Sequence, residues 1–248
     1  TKDGADYYIE RAKGGTGLIV TGLVPIIPIP VRNPVNFPDE YVPAMKYLAD
    51  GVHKYGSKVF VQLTAMTGRA GHIESETDWK MLPAPAPIQN VWDPTIKNRG
   101  ISKEEIHKYV ENFAQAAYLV KQAGCDGVEI HAVHEGYLLD QFAIGFYNKR
   151  TDEYGGCLEN RLRFPKEIVE AIKEKCGKDF PVSVRYSVRS YVKDYNRGAL
   201  PGEEFEEMGR DLEEGVTVAK MLEEYGYDML NCDNGSYDSW FWPHPPVY

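Results

Sequence analysis

The sequence predicts an α/β protein, an incomplete (β/α)8 TIM barrel with about five of the eight βα units in this chain. Three observations carry this expectation. Five short runs rich in Val and Ile alternate with longer amphipathic stretches. The polar residues of those runs share one parity toward their C-terminal ends. No Gly-x-Gly-x-x-Gly follows the first run, which removes the main sign of a doubly wound dinucleotide sheet. Strands alternating with helices mean parallel βαβ units with right-handed crossovers.

Taken in order, the predicted strands are Gly17–Gly22, Lys58–Leu63, Gly127–His131, Pro181–Tyr186 and Tyr227–Asp233. Their length and β-branched content suit strands buried on both faces. Glu129 and His131 alternate with Val128 and Ile130, and Ser183 and Arg185 alternate with Val182 and Val184. Gln62 lies beyond Phe60 between Val61 and Leu63, and Asn231 and Asp233 flank Cys232. In a barrel the apolar set faces the helices, and the polar set lines the C-terminal mouth where barrel active sites lie. Helices are predicted over Asp3–Ala12, after Ser102, over Leu158–Cys176 and over Gly202–Tyr225. Ser102 with Glu105 forms a capping box, and Ile106, Tyr109, Val110, Phe113, Ala117 and Val120 then recur at helical spacing. Gly124, Gly177 and Gly226 close three of the helices. The connections Thr64–Ile101 and Ala132–Cys157 far exceed the usual strand-to-helix loop, and loops of that length are more often functional or disordered than idle.

Charge and composition exclude several functions. Lys and Arg total 28 against 37 Asp and Glu, a net charge of −9 that argues against a nucleic-acid partner or an anionic membrane surface. No apolar run reaches the roughly 18 residues of a spanning helix. The four cysteines, Cys125, Cys157, Cys176 and Cys232, show neither a disulfide framework nor zinc spacing. A cytoplasmic protein is expected. The start at Thr1 and the stop at Tyr248 both look cut. We therefore expect residues 1–248 to be one barrel domain of a longer protein, lacking the first and the last two strands. Two open sheet edges would favour a homo-oligomer or a covering partner.

The segment from His131 to Tyr137 carries four polar side chains at the rim of a central strand. Its histidines could bind a metal, satisfy loop hydrogen bonds, or donate to a substrate carbonyl or carboxylate. Residues three apart leaving a strand point to opposite faces, and no further ligand is evident, so no metal site is assigned. In the substrate reading, paired donors face an oxygen that gains charge, and Tyr137 is the general acid. Arg185 on the same face would hold a cation beneath the mouth for an anionic ring or phosphate, or would pair with Glu129. Gln62 suits an amide-like heterocycle edge. The charged run Asn148–Arg161 is expected to act mainly as a structural clamp. The aromatic stretch Tyr237–Tyr248, with Trp240, Phe241 and Trp242, suits either a planar substrate or packing under a loop.

These residues also carry a resemblance. Glu129-Ile130-His131, Tyr137-Leu138-Leu139-Asp140-Gln141-Phe142, and Asn148, Arg150, Asp152, Tyr154, Gly155, Gly156, Glu159, Asn160 and Arg161 in order resemble the signature of the Old Yellow Enzyme family. The likeness extends from Arg11–Ile19 to Asn231–Gly235 and is greatest for the clostridial 2-enoate reductases, through His134-Glu135-Gly136-Tyr137, Val184–Val188 and Tyr237–Trp240. It implies a barrel with FMN across its mouth, delivering hydride from N5 to the β-carbon of an activated C=C bond of an unsaturated acid or enone. By position, Gln62 would meet the flavin pyrimidine edge, Arg185 would stabilise the reduced ring, and Gly22 would also line the cofactor. His131 and His134 would hold the substrate oxygen, Tyr137 would protonate the α-carbon, and Trp240 would line the substrate. In the commoner family pattern the tyrosine follows the first histidine by five residues; here it follows by six. His134 or Glu135 therefore fills the second position, with His134 preferred. Many relatives carry a histidine within the span matching Gln62–Arg69; this chain does not. The resemblance further implies a 4Fe–4S cluster, FAD and NADH in the longer parent, and none of their motifs occurs here. Two alternatives stay open: the same flavin barrel running an oxidase, demethylase or isomerase reaction, or an inert piece that needs a partner.

Overall fold

A computed structural model describes residues 2–26, 41–65, 68–71, 82–133 and 137–239. Five strands form one parallel sheet in sequential order: β1 (Leu18–Pro25), β2 (Lys58–Thr64), β3 (Gly127–Val133), β4 (Val182–Ser187) and β5 (Met229–Asp233). The helices are α1 (Lys2–Lys13), α2 (Val42–His53), α3 (Lys103–Gln122), α4 (Leu138–Ala143), α5 (Leu158–Arg161), α6 (Arg163–Cys176) and α7 (Leu212–Tyr225). Neighbouring parallel strands joined by helices make this a partial (β/α)8 barrel. None of the described helices is long and apolar enough to cross a membrane.

The parity expected from the sequence is the one observed. Val59, Val61, Leu63, Val128, Ile130, Val182 and Val184 all lie in the main core with Leu48, Val52, Phe113, Val120, Phe164 and Ile168 of the covering helices. Burying each such side chain contributes roughly 1.5–3 kcal/mol. Both halves of the capping box exist: Glu105 N–H donates to Ser102 Oγ at 3.2 Å, and Ser102 N–H donates to Glu105 at 2.9 Å. Gly226 ends α7 in the left-handed region, at φ 106°, which a residue with a Cβ rarely adopts.

Two helices differ from expectation. The stretch Leu158–Cys176 is broken at Leu162 (φ −95°, ψ 3°) into α5 and α6. The larger correction concerns Gly202–Tyr225, whose helix starts only at Leu212, capped by Asp211. The acidic residues before it are drawn into tertiary contacts instead. Glu207 accepts hydrogen bonds from the N–H groups of Tyr191, Val192 and Gly209, holding that segment beside an antiparallel hairpin of Val192–Asp194 and Arg197–Gly198. The long loop after β2 is pinned by a parallel pairing of Pro83–Ala84 with Arg99–Gly100. The run 148–161 is a clamp: Asn148 donates to the carbonyls of Phe142 and Tyr154, and Arg150 to those of Pro85 and Ile101.

At the opposite, N-terminal end of the sheet, Asp126 accepts from Lys58 Nζ at 2.8 Å and Val59 N at 3.0 Å, and lies 2.7 Å from His53 Nε2. Partial burial raises its pKa, but these partners outweigh that and hold it below the usual carboxylate value. A depressed folded pKa gives stability that is full above the unfolded value of about 3.9 and is lost as pH falls through the folded one. Asp126→Asn should therefore lower the urea midpoint at pH 7, with the gap to wild type closing below about pH 4. A gap constant with pH would refute the assignment.

Candidate active site

The strand registers build the mouth in two rows. Gln62 is level with Glu129, and Glu129 with Ser183; one step toward the C-terminal rim, Thr64, His131, Arg185 and Asn231 form the next row. Paired residues of parallel strands point to the same face, so each row turns inward together. In the lower row the Glu129 carboxylate is fully buried. It accepts from Gln62 Nε2 at 2.6 Å, Ser183 Oγ at 3.0 Å and Asn231 Nδ2 at 3.1 Å. Those donors replace the water that the carboxylate gives up on burial.

In the upper row His131 is buried, and its ring meets the Tyr137 ring edge-on, with centroids 4.2 Å apart and planes at 85°. Tyr137 is the N-cap of α4, in extended backbone (φ −65°, ψ 167°), and is half-buried. The structure thus brings together the histidine and the tyrosine singled out by the sequence. His134, Glu135 and Trp240 lie outside the described residues.

Arg185 does not pair with Glu129, and this corrects one of the sequence readings. Its Nε donates to Asp233 at 3.1 Å, and its Nη2 closes a second bond to the same carboxylate. Glu129 is already satisfied by three neutral donors, whereas Asp233 stands next to the guanidinium on the adjoining strand. The Arg185 side chain is 33% exposed, so a ligand at the mouth can reach it. Gly22 sits at an irregularity of β1 between Val20 and Leu23, and its N–H donates to the Tyr8 hydroxyl at 2.7 Å. An amide edge beside a cation would suit a flavin ring system; Gln62, whose Nε2 is held by Glu129, and Arg185, held by Asp233, stand on neighbouring rows there. Among the described residues no group of three or more His, Cys, Asp or Glu side chains is arranged to hold a metal ion.

Sequence reasoning did not find the residues that tie the loops over the mouth. Arg69 and Asp238 form an ion pair at 2.7 Å with both side chains fully buried. Tyr147 donates to the same carboxylate at 2.5 Å, as does the N–H of Asn196. Burial and the Asp238 charge push the Tyr147 phenol well above its ordinary pKa. Trp92 and Tyr237 were missed as a contact too: their rings meet at 6.1 Å, and Tyr237 lies 5.9 Å from Tyr137. No periodic pattern marks such pairs, which come from loops far apart in the chain.

Known proteins share the sequence and the fold. The chain is 52% identical, over its whole length, to the cinnamate reductase of Clostridium sporogenes, and spans 38% of that protein. It superposes on 2-naphthoyl-CoA reductase, solved with 2-naphthoyl-CoA, with a TM-score of 0.78 and 27% identity, covering 96% of this chain and 36% of that one. For the old yellow enzyme homologue of Zymomonas mobilis the TM-score is 0.72 at 28% identity, covering 95% and 66%. These likenesses, the two inward rows and a match over residues 1–241 converge: the chain belongs to the NADH:flavin oxidoreductase / NADH oxidase family.

Proposed function

We propose that the protein is an FMN-dependent ene-reductase acting on α,β-unsaturated carboxylates or enones, and that residues 1–248 form the FMN-binding barrel domain of a longer cytoplasmic enzyme. The observation that carries this is the buried His131 edge-on to Tyr137, level with Arg185 and one row above the Gln62–Glu129 pair. Cinnamate reductase, whose name states an unsaturated acid as substrate, supports the class. In the longer protein, a 4Fe–4S cluster and FAD would carry electrons from NADH.

FMN, when bound across the mouth, supplies the hydride. Gln62 would meet its pyrimidine edge, Arg185 its electron-rich side, and Gly22 the wall beside β2. The work of the chain's own side chains is then to place the substrate and move one proton. His131, with His134 or Glu135, holds the substrate oxygen. A donor aimed at an oxygen that gains charge stabilises the transition state more than the ground state. The Tyr137 hydroxyl would deliver a proton to the α-carbon. The Arg185–Asp233 pair keeps the guanidinium from swinging down onto Glu129.

The test is the visible absorption spectrum of the purified protein during FMN titration. We expect a yellow, stoichiometric complex, and for Arg185→Met a dissociation constant about tenfold higher, the value of one charged hydrogen bond. A protein that takes up no FMN in its full-length form would overturn the proposal.

A further inference from the structure

We propose that Glu129 is a positioning residue for the flavin: its buried carboxylate holds the Gln62 amide nitrogen-inward, and so fixes the Gln62 carbonyl oxygen as the acceptor offered to the ring. The inference rests on the FMN reading above and adds the residue that orients one cofactor contact. Glu129 is fully buried, and no cation among the described residues pairs with it; the Arg185 guanidinium is taken by Asp233. Its oxygens are met by neutral groups from three other strands: Gln62 Nε2 on β2 at 2.6 Å, Ser183 Oγ on β4 at 3.0 Å and Asn231 Nδ2 on β5 at 3.1 Å. A carboxylate buried without a counter-ion is costly, and an apolar side chain would fill the same space without that cost. Such a departure from core chemistry, at the floor of a candidate site, is explained by what the group does to its neighbours.

The effect on Gln62 follows from hydrogen-bond chemistry. A side-chain amide has two N–H donors and one carbonyl acceptor, whereas a carboxylate only accepts. Gln62 must therefore turn its nitrogen to Glu129; reversed, two oxygens would face each other and go unpaired. The carboxylate is itself held still. Asn231 lies level with Arg185, one row above Glu129, yet its Nδ2 reaches down to both carboxylate oxygens, at 3.1 and 3.4 Å. The backbone of Gln62 is pinned as well, its N–H donating to Thr21 Oγ1 at 3.1 Å. With its nitrogen held, Gln62 leaves Oε1 as its free acceptor. That oxygen takes no hydrogen bond from the described residues and is not a sealed unpaired atom, so it opens to solvent. A carbonyl fixed beside its own remaining N–H matches an imide edge, where an N–H stands next to a carbonyl, and the flavin pyrimidine ring carries such an edge. An amide ordered in advance spares the cofactor that cost on binding.

The experiment titrates FMN into the full-length protein stripped of it, using wild type, Glu129→Leu, Gln62→Met and the double variant. Flavin fluorescence gives the dissociation constant, and reduction against a reference dye gives the midpoint potential. Glu129→Leu keeps the bulk and removes the acceptor. FMN should then bind about threefold to tenfold more weakly, the cost of ordering one freed side chain. The potential should rise, because a negative charge leaves the floor of a site whose ring gains electrons; tenfold in the two-electron equilibrium is about 30 mV. In the Gln62→Met background the same substitution should change FMN affinity by less than about twofold, since no amide remains to orient. A second measurement needs no substitution. FMN methylated at N3 cannot donate to a fixed carbonyl, and wild type should bind it at least about tenfold more weakly than FMN. Equal losses in the two backgrounds, an unmoved potential, or equal binding of FMN and its N3-methyl form would each overturn the positioning role and leave FMN binding standing. A wild type that takes up neither would overturn the flavin reading, and this inference with it.

Discussion

In the FMN-loaded enzyme, Tyr137→Phe should lower the rate of C=C reduction by roughly 10²–10⁴-fold, the usual worth of a positioned general acid. The substitution removes one hydroxyl and keeps the ring, so the edge contact with His131 at 4.2 Å survives and so does the N-cap backbone of α4. The Gln62–Glu129 and Arg185–Asp233 bonds are made between other side chains and survive as well, so FMN uptake and its reduction by NADH should stay within about twofold. The loss should appear in kcat and kcat/KM alike, because the proton is delivered only in the transition state. A solvent isotope effect on turnover should change with it. Unchanged turnover in Tyr137→Phe would remove the tyrosine from the proton-transfer role and return attention to His131.

How far the sequence reveals this site depends on whether the forces involved are local. The strands were legible because a strand buried between barrel and helices must alternate inward polar with outward apolar residues. Predicted and observed starts agree at Lys58 and Gly127, and differ by one residue at Gly17 and Pro181. The capping box at Ser102 was legible because both its bonds close within four residues. The segment before α7 was not. Its acidic residues suit a helix, but Glu207 finds three backbone N–H groups, two of them on the preceding hairpin segment, and tertiary bonding outweighs propensity. The partner of Arg185 was undecided between two acids on the same face. Only the register shows that Gln62, Ser183 and Asn231 already satisfy Glu129. Trp92, Arg69 and Asp238 were invisible as a group because nothing local links the loops that carry them. Arg69 and Asp238 are separated by 169 positions.

That buried pair carries the second large expected effect. Arg69→Met or Asp238→Asn alone should cost about 3–5 kcal/mol of stability, measured by urea unfolding of the purified chain. Both side chains are fully buried, so removing either partner strands a charge with no water to replace it. Arg69 would keep its bond to the Gln89 carbonyl at 2.9 Å and its place beside the rings of Tyr147 and Tyr195, at 5.2 and 5.0 Å. Those contacts favour a cation but do not neutralise it. Asp238 without Arg69 would keep the Tyr147 hydroxyl and the N–H of Asn196, which are neutral donors. The double variant Arg69→Met/Asp238→Asn leaves no charge, while the amide introduced at that position can still accept from Tyr147 or Asn196. It should therefore cost less than the two single losses added together, by at least about 1 kcal/mol. Strict additivity would mean that the two groups do not depend on each other for their charge.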